Sequence, residues 1–189
     1  MTVKLFIAST LDGYIATKEE SLQWLFDVEG EGDNGYGAFY SGIDTIIMGK
    51  KTYDWLEKEQ AGQWPYSDKT SYILTHQEIS STDNIVFIDK EKLTELSVNF
   101  ADTDKNIWVV GGGEVIKLFL ENHWVDELQV TIAPVLLGGG IPLFLSGNYK
   151  EQLQLIDTKT YGQFVELHYL VKKIDTDNFV SNFLSLKTL

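Results

Sequence analysis

Short apolar runs alternate with amphipathic stretches along most of this chain. Residues 3–9 are apolar on both alternating faces, and residues 45–48, 72–74, 85–88 and 107–110 form shorter runs of the same kind. Runs of this length without polar alternation are typical of strands buried on both faces of a parallel sheet. Helical patterns follow several of them, which predicts strand-helix units.

The last third of the chain has a different pattern. Residues 127–134 alternate and then become apolar, as in a long strand, and the glycines of 138–140 indicate a flexible connection. Residues 152–160 and 164–172 predict a hairpin that turns at Tyr161 and Gly162. One of its faces would be formed by Val165, Leu167, Tyr169 and Val171.

These elements predict an α/β fold, with a mainly parallel central sheet, an antiparallel C-terminal hairpin and helices on both faces. The domain would span residues 1–173. The tail, residues 174–189, contains Phe179, Val180, Phe183 and Leu184, and could form a helix that packs on the body or on a second subunit. Helices are expected to end near residues 41–42, to follow residue 52, to span 91–100 and to follow residue 113.

Two segments are predicted to be irregular. Residues 19–33 carry six acidic side chains around Trp24, with glycines behind them, and we interpret this segment as a mobile acidic loop of the kind that often forms a lid. Asp12 and Gly13 follow the first strand, and turn chemistry alone explains this pair.

Composition narrows the possible functions. The net charge is −13, and all 15 basic residues are lysines. Such a chain is unsuited to nucleic acid or anionic membranes, and a phosphate would have to be bound without arginine. There is no cysteine, so thiol nucleophiles and thiolate metal sites are excluded. With no spanning apolar run and no signal-like start, we expect a soluble cytoplasmic protein.

Two strand-glycine-helix segments carry the candidate chemistry, and we name them the two glycine turns: residues 49–52 (GKKT) and 111–115 (GGGEV). Glycines let a ligand approach the backbone, and the free amides of a helix start attract phosphate. In the alternative interpretation, these segments are tight turns without a ligand and the lysines are solvated.

A third strand ends at Thr75, His76 and Gln77, which could bind a sugar or its phosphate. Neither turn matches a P-loop or a Rossmann fingerprint, and the three histidines are too dispersed to predict a metal site.

These segments resemble the dihydrofolate reductase fold family, and more closely its branch that contains the reductase domain of the riboflavin-biosynthesis deaminase/reductase. Residues 46–53 (IIMGKKTY) are similar to the family's Met-Gly-Arg-x-Thr-Trp/Tyr segment, and residues 108–115 (WVVGGGEV) to its Val-Ile-Gly-Gly motif. Residues 3–16 resemble its first strand and turn. Residues 126–138 resemble the riboflavin branch, and the resemblance spans nearly the whole chain.

The resemblance implies a three-layer sandwich, NADPH as the cofactor, hydride transfer to a small heterocyclic or carbonyl substrate, and a homodimer. The implied contacts to the nicotinamide end are Ile7, Ala8 and Ile15, with Trp24 as a further cofactor contact. Those at the glycine turns are Gly49, Lys50, Lys51, Thr52, Val110, Gly111, Gly112, Gly113, Glu114 and Val115, and those at the adenosine end are Thr75, His76 and Gln77.

Departures from the family pattern leave the substrate open. The arginines that hold the folate carboxylate or the ribose phosphate are missing, Lys50 replaces an arginine, and Val110 stands where the riboflavin reductases have a glutamate. Asp33 is the candidate proton donor because its spacing to Gly49 matches the folate enzymes, and Thr131 matches the threonine that partners their carboxylate. The alternatives are the riboflavin-pathway reductase step, 5-amino-6-(5-phosphoribosylamino)uracil reduction, and a nucleotide-binding module without catalysis.

Overall fold

Ten strands and five helices are formed by residues 2–98 and 104–173, the part of the chain that the computed structural model describes. The strands are β1 (Thr2–Thr10), β2 (Tyr14–Ala16), β3 (Thr45–Gly49), β4 (Thr70–Leu74), β5 (Ile85–Ile88), β6 (Asn106–Gly111), β7 (Glu127–Ala133), β8 (Ile141–Pro142), β9 (Gln152–Tyr161) and β10 (Phe164–Lys172). The helices are α1 (Gln23–Phe26), α2 (Tyr36–Ser41), α3 (Lys50–Glu59), α4 (Lys90–Val98) and α5 (Gly113–Glu121).

Eight of these strands form one sheet, in the order β5-β4-β3-β6-β1-β7-β10-β9. The first six run parallel to one another, and β10 and β9 complete the sheet as antiparallel neighbours. The predicted central position of β1 and the predicted C-terminal hairpin are confirmed. Because six strands are parallel, their carboxyl ends meet at one edge of the sheet, where a crevice forms in such folds.

Helices cover both faces of the sheet. On one face, Ile116 and Phe119 of α5 and Leu93 of α4 are fully buried in one cluster with Leu5 of β1. On the other face, Leu56 of α3 packs in a second cluster with strand residues, and Phe39 of α2 stacks on Phe6 at a ring distance of 4.1 Å. Alternate residues of β1 therefore point into different cores, as its two apolar faces predict.

Local sequence patterns missed some elements. The acidic loop contains the short helix α1, whose Trp24 is buried, and a second sheet pairs β2 with the two-residue strand β8. The helix predicted over 91–100 is observed as α4, and residues 99 and 100 lie outside the described residues. The predicted tail, with Phe179, Val180, Phe183 and Leu184, also lies outside them. No helix in the described segments is long and apolar enough to cross a membrane.

Candidate active site

The three loops that the sequence singled out lie side by side. They leave the carboxyl ends of β4, β3 and β6, which are neighbours in the sheet, and the register pairs Gly49 with Leu74 and Met48 with Gly111. Residues 75–77, 49–52 and 111–115 therefore share one edge. The arrangement depends on strand order, which the separate sequence motifs do not specify.

The two glycine turns approach each other closely. A Cβ at Gly49 would lie 3.2 Å from Val115 Cγ2, and a Cβ at Gly112 would lie 3.6 Å from Thr52 Oγ1. Gly111 has a φ of 129°, a conformation that side chains disfavour, and its peptide bond to Gly112 is cis. The glycines thus keep a narrow gap between the turns free of side chains.

Both helices at this edge begin without a side-chain cap. Gly49 precedes α3 and Gly112 precedes α5, and neither helix has a capping hydrogen bond from its N-cap side chain. The first bonds of α5 are donated by Val115 and Ile116 to the carbonyl oxygen of Gly112, at 3.0 and 3.1 Å. The amides of Gly113 and Glu114 lie before these bonds, so they are available to an anion.

The lysines at the first turn differ in their surroundings. Lys50 forms an ion pair with Asp54 one turn along α3, and its Nζ lies 5.4 Å from the centre of the Tyr53 ring. Lys51 is exposed. Lys50 is therefore partly neutralised before any phosphate binds, whereas Lys51 extends into solvent.

The segment after β4 is ordered around Thr75. Thr75 is buried, its amide donates to the Ile88 carbonyl oxygen at 2.9 Å, and its hydroxyl oxygen accepts the Gln77 amide at 3.1 Å. His76 and Gln77 are exposed at the same edge. The two exposed side chains are placed where a ligand on the glycine turns could reach them.

The residues implied for the nicotinamide end lie on opposite faces of the sheet. Ile7 and Ile15 pack against the α5 side of the sheet, whereas Ala8 packs with Trp24 in a small cluster on the α2 side. Trp24 is 7% exposed, and its indole N–H has no hydrogen-bond partner among the described residues. A buried donor without an acceptor is costly, so this group points to a missing ligand or water.

Asp12 does more than form a turn. Its carboxylate accepts the Thr10 hydroxyl at 2.6 Å and the amides of Leu137 and Gly138 at 3.2 and 2.8 Å. The Thr10 hydrogen bond is the main cause that lowers the pKa of Asp12. The prediction of turn chemistry alone is wrong, because this side chain joins the loop after β1 to the loop after β7.

The two predicted catalytic residues are not joined to each other. Asp33 is exposed, and its two carboxylate oxygens accept the amides of Gly35 and Gly37, at 3.0 and 2.7 Å, before and within α2. Thr131 is buried on β7, and no hydrogen bond connects it to Asp33 within residues 2–98 and 104–173. Thr131 instead stands in register with Glu166 of β10.

Beside these residues, a cavity of about 250 Å³ lies between α2 and the sheet. Its lining includes Lys4, Phe39, Gln129, Lys159, Tyr161 and Glu166. Glu166 is only 3% exposed. Burial raises its pKa, and the nearby charges of Lys159 and His168 oppose that shift.

Glu166 was missed at the level of sequence. The alternation of Val165, Leu167, Tyr169 and Val171 defines one apolar face, and the register of β10 with β7 confirms it. That interpretation leaves Glu166 on a solvent face. The only signal against it is Phe164, which shares the face of Glu166 and is also buried. No group of three or more His, Cys, Asp or Glu side chains in the described segments could hold a metal ion.

A model of the RibD C-terminal domain matches residues 1–167. The chain belongs to the RibD C-terminal domain family. It is also 41% identical, over 167 residues, to the uncharacterized protein YwjB of Bacillus subtilis (strain 168). That alignment covers 88% of this chain and 95% of YwjB.

Two solved structures share the fold of this chain. A protein from Shewanella sp. PV-4 that is named for riboflavin biosynthesis has a TM-score of 0.81 and 28% identity, covering 92% of this chain and 100% of that one. Dihydrofolate reductase from Enterococcus faecalis, complexed with NADP(H), has a TM-score of 0.58 and 17% identity, covering 91% and 97%. The predicted dihydrofolate reductase-like fold is confirmed, and membership of the RibD C-terminal family supports a reductase-type function.

Proposed function

We propose that this protein is an NADPH-dependent reductase that transfers a hydride to a small heterocyclic or carbonyl substrate. The observation that carries the proposal is that two helices with glycine N-caps, Gly49 of α3 and Gly112 of α5, begin next to each other at one edge of the sheet. Membership of the RibD C-terminal family supports the same class of reaction.

The residues present fit a dinucleotide. The amides of Gly113 and Glu114, with the Thr52 hydroxyl beside them, would bind the pyrophosphate, and this requires no arginine. The orphan indole N–H of Trp24 lies in the cluster that contains Ala8, on the side where a nicotinamide is expected. The cofactor, when bound, supplies a hydride; the chain supplies the position, the exclusion of water and a proton.

Charge is the main obstacle to this proposal. The chain carries a net charge of −13, and Glu114 is exposed in the first turn of α5. Helix-start amides and lysine ammonium groups would have to offset that repulsion locally. Salt screens the attraction of the lysines and the repulsion of the acidic groups alike, so the sign of the salt dependence of NADPH affinity shows which of the two is larger at the site.

Titration of the purified protein with NADPH, followed by tryptophan fluorescence, tests the proposal. We expect saturable quenching, because Trp24 lies at the site, and a parallel titration with NADH measures the preference for the 2′-phosphate. No change with either nucleotide at saturating concentration would refute cofactor binding. Thermal unfolding with and without NADPH gives a second readout that needs no substrate.

A narrower candidate is the riboflavin-pathway reduction of 5-amino-6-(5-phosphoribosylamino)uracil. The match to the RibD C-terminal domain favours it, and the absence of arginine requires lysines to bind the ribose phosphate. Growth of a strain that lacks this reductase, after expression of the present chain, distinguishes the two. Nucleotide binding without turnover of aldehydes, pterins or pyrimidines would instead indicate a non-catalytic module.

A further inference from the structure

Glu166 lies in a row of residues that crosses the sheet toward the proposed nicotinamide position. The register pairs Glu166 of β10 with Thr131 of β7, and Thr131 with Ala8 of β1. Residues in register project from the same face, and neighbouring strands are about 4.8 Å apart. The backbone of Glu166 is thus roughly 10 Å from that of Ala8, a span that a glutamate and a bound ring would together cover.

The carboxyl group of Glu166 is buried without a partner. No hydrogen bond and no ion pair reaches it from the other described residues, although it is 3% exposed. Lys159 stands opposite it on β9, and the Nζ of Lys159 lies 3.8 Å from Asp157 Oδ2. Burial raises the pKa of the Glu166 carboxyl in spite of the nearby charges of Lys159 and His168, and its protonated form can donate a hydrogen bond.

The same carboxyl lines the cavity between α2 and the sheet. At about 250 Å³, the cavity suits a single-ring heterocycle rather than an extended ligand. Helix α2 brings Ala38 and Phe39, which carry no charge, to one wall. The charged and titratable groups that surround Glu166 come from β9, β10 and β1, and they are Asp157, Lys159, Tyr161, His168 and Lys4.

Asp33 is in a different position. Both of its oxygens are used by main-chain amides at the start of α2, and it is exposed to solvent. It already has a structural function there. A proton donor needs a free carboxyl that faces the substrate. Glu166 lines the cavity with no hydrogen bond to another described residue, whereas both carboxylate oxygens of Asp33 are occupied.

We propose that Glu166 is the acid of this site, and that its carboxyl binds and protonates a basic nitrogen of a flat, single-ring heterocyclic substrate. The proposal rests on the reductase function proposed above. As hydride from the reduced nicotinamide adds to the carbon of a C=N bond, the π electrons pass to nitrogen. The nitrogen then takes the Glu166 proton, so that an N–H bond forms and an O–H bond breaks. A proton from water restores the carboxyl group.

The first test uses 2-aminopyridine as a probe, without cofactor. Its ring nitrogen can take the carboxyl proton, and the resulting cation then pairs with the carboxylate through two charge-assisted hydrogen bonds, which a glutamine amide cannot form. Calorimetry should show binding to the wild type and at least tenfold weaker binding to Glu166→Gln, which keeps the shape but loses the acid. Glu91→Gln is the matched control, because Glu91 is an exposed glutamate on α4, on the other face of the sheet, and this variant should bind as the wild type does. Equal affinity for wild type and Glu166→Gln, or an equal loss of binding in Glu91→Gln, would overturn the proposal.

The second test measures the ionisation of Glu166 in the absence of any ligand. Carboxyl carbon NMR of glutamate-labelled protein should show one resonance that titrates above the ordinary glutamate range and is missing from Glu166→Gln. A folded-state pKa raised by burial means that ionisation destabilises the fold as pH rises. The melting temperature of Glu166→Gln minus that of the wild type should therefore be larger at pH 8 than at pH 5. A titration in or below the ordinary range, with no pH-dependent difference, would contradict the proposal.

The proposal of NADPH binding and the proposal for Glu166 can be refuted independently. Glu166→Gln should keep NADPH-induced fluorescence quenching, because Glu166 is not among the groups that would hold the phosphates. If the wild type binds 2-aminopyridine through Glu166 but never binds NADPH, the cofactor assignment is wrong and the Glu166 pocket stands as a binding site. If NADPH binds and the probe result is negative, only the Glu166 assignment is wrong.

Discussion

Replacing Gly112 with alanine adds one methyl group in the gap between the two glycine turns. The new Cβ would lie 3.6 Å from Thr52 Oγ1, which is an ordinary contact distance. Gly112 has a φ of −66° and a ψ of −170°, a conformation that alanine also adopts. The substitution is therefore expected to leave the fold intact and to change only the space available to a ligand.

The effect on stability is small by this reasoning. A compatible Gly→Ala change stabilises a protein by about 0.4–1 kcal/mol through the unfolded chain. Alanine is a poorer N-cap than glycine, and this costs a comparable amount, roughly 0.5–1 kcal/mol. The two terms nearly cancel, so the melting temperature should move by no more than about 4 °C for a chain of this size.

The effect on cofactor binding is large. A phosphate oxygen must come within about 2.9 Å of the amides of Gly113 or Glu114, and a methyl group on Gly112 obstructs that approach. Loss of one charge-assisted hydrogen bond is worth about 1.5–3 kcal/mol, which corresponds to roughly 10- to 150-fold weaker NADPH binding. Gly139→Ala is the control, because its Cβ would meet only the flexible end of the Lys18 side chain, with Cε at 3.4 Å and Nζ at 3.8 Å. Wild-type affinity in a folded Gly112→Ala protein would refute the reasoning.

Three further predictions concern the same site and the assembly. Asp54→Asn releases Lys50 from its ion pair, and NADPH should bind up to about fivefold tighter, since an exposed pair contributes roughly 0.2–1 kcal/mol; titration at low salt checks this, and an unchanged affinity would argue against a role for Lys50. Trp24→Phe removes the orphan N–H and should abolish most of the fluorescence quenching with little loss of stability, because relief of a buried donor offsets the lost contacts; full quenching in this variant would exclude Trp24 from the site. The homodimer stays a prediction, and the exposed edge strand β9, with Leu155 51% exposed, offers a surface for it. Light scattering should give twice the monomer mass for the wild type and a smaller mass for Leu155→Lys, and a monomeric wild type would contradict the prediction.

The parallel sheet and both glycine turns were predictable because their signals are local. The apolar run of β6, the glycines at 111–113 and the amphipathic α5 follow one another directly, so chain order alone specifies strand, turn and helix. The uncapped helix starts follow from the same glycines. The meeting of the two turns was not predictable from either motif, because it depends on β3 and β6 being neighbours in the sheet.

Most polar contacts of the site could not be predicted from the sequence. The alternation in β10 predicts which residues share a face, but which face is covered depends on where α2 packs, so the sequence alone does not show that Glu166 is buried. Asp12 bonds to amides 125 and 126 residues away, and no local pattern encodes that distance. The ion pair of Lys50 with Asp54 is an exception, since its spacing of four residues on a helix was visible in the sequence.

The hydrogen bonds of Asp12 have a consequence for ligand response. Asp12 binds the main chain at Leu137, and the Leu137 side chain packs against the cluster that contains Trp24. A chain of contacts thus connects the turn after β1, through Leu137, to the cluster that contains the indole. Asp12→Asn weakens this chain of contacts, so it is expected to lower the affinity for a molecule that packs on the indole, although that molecule does not touch Asp12.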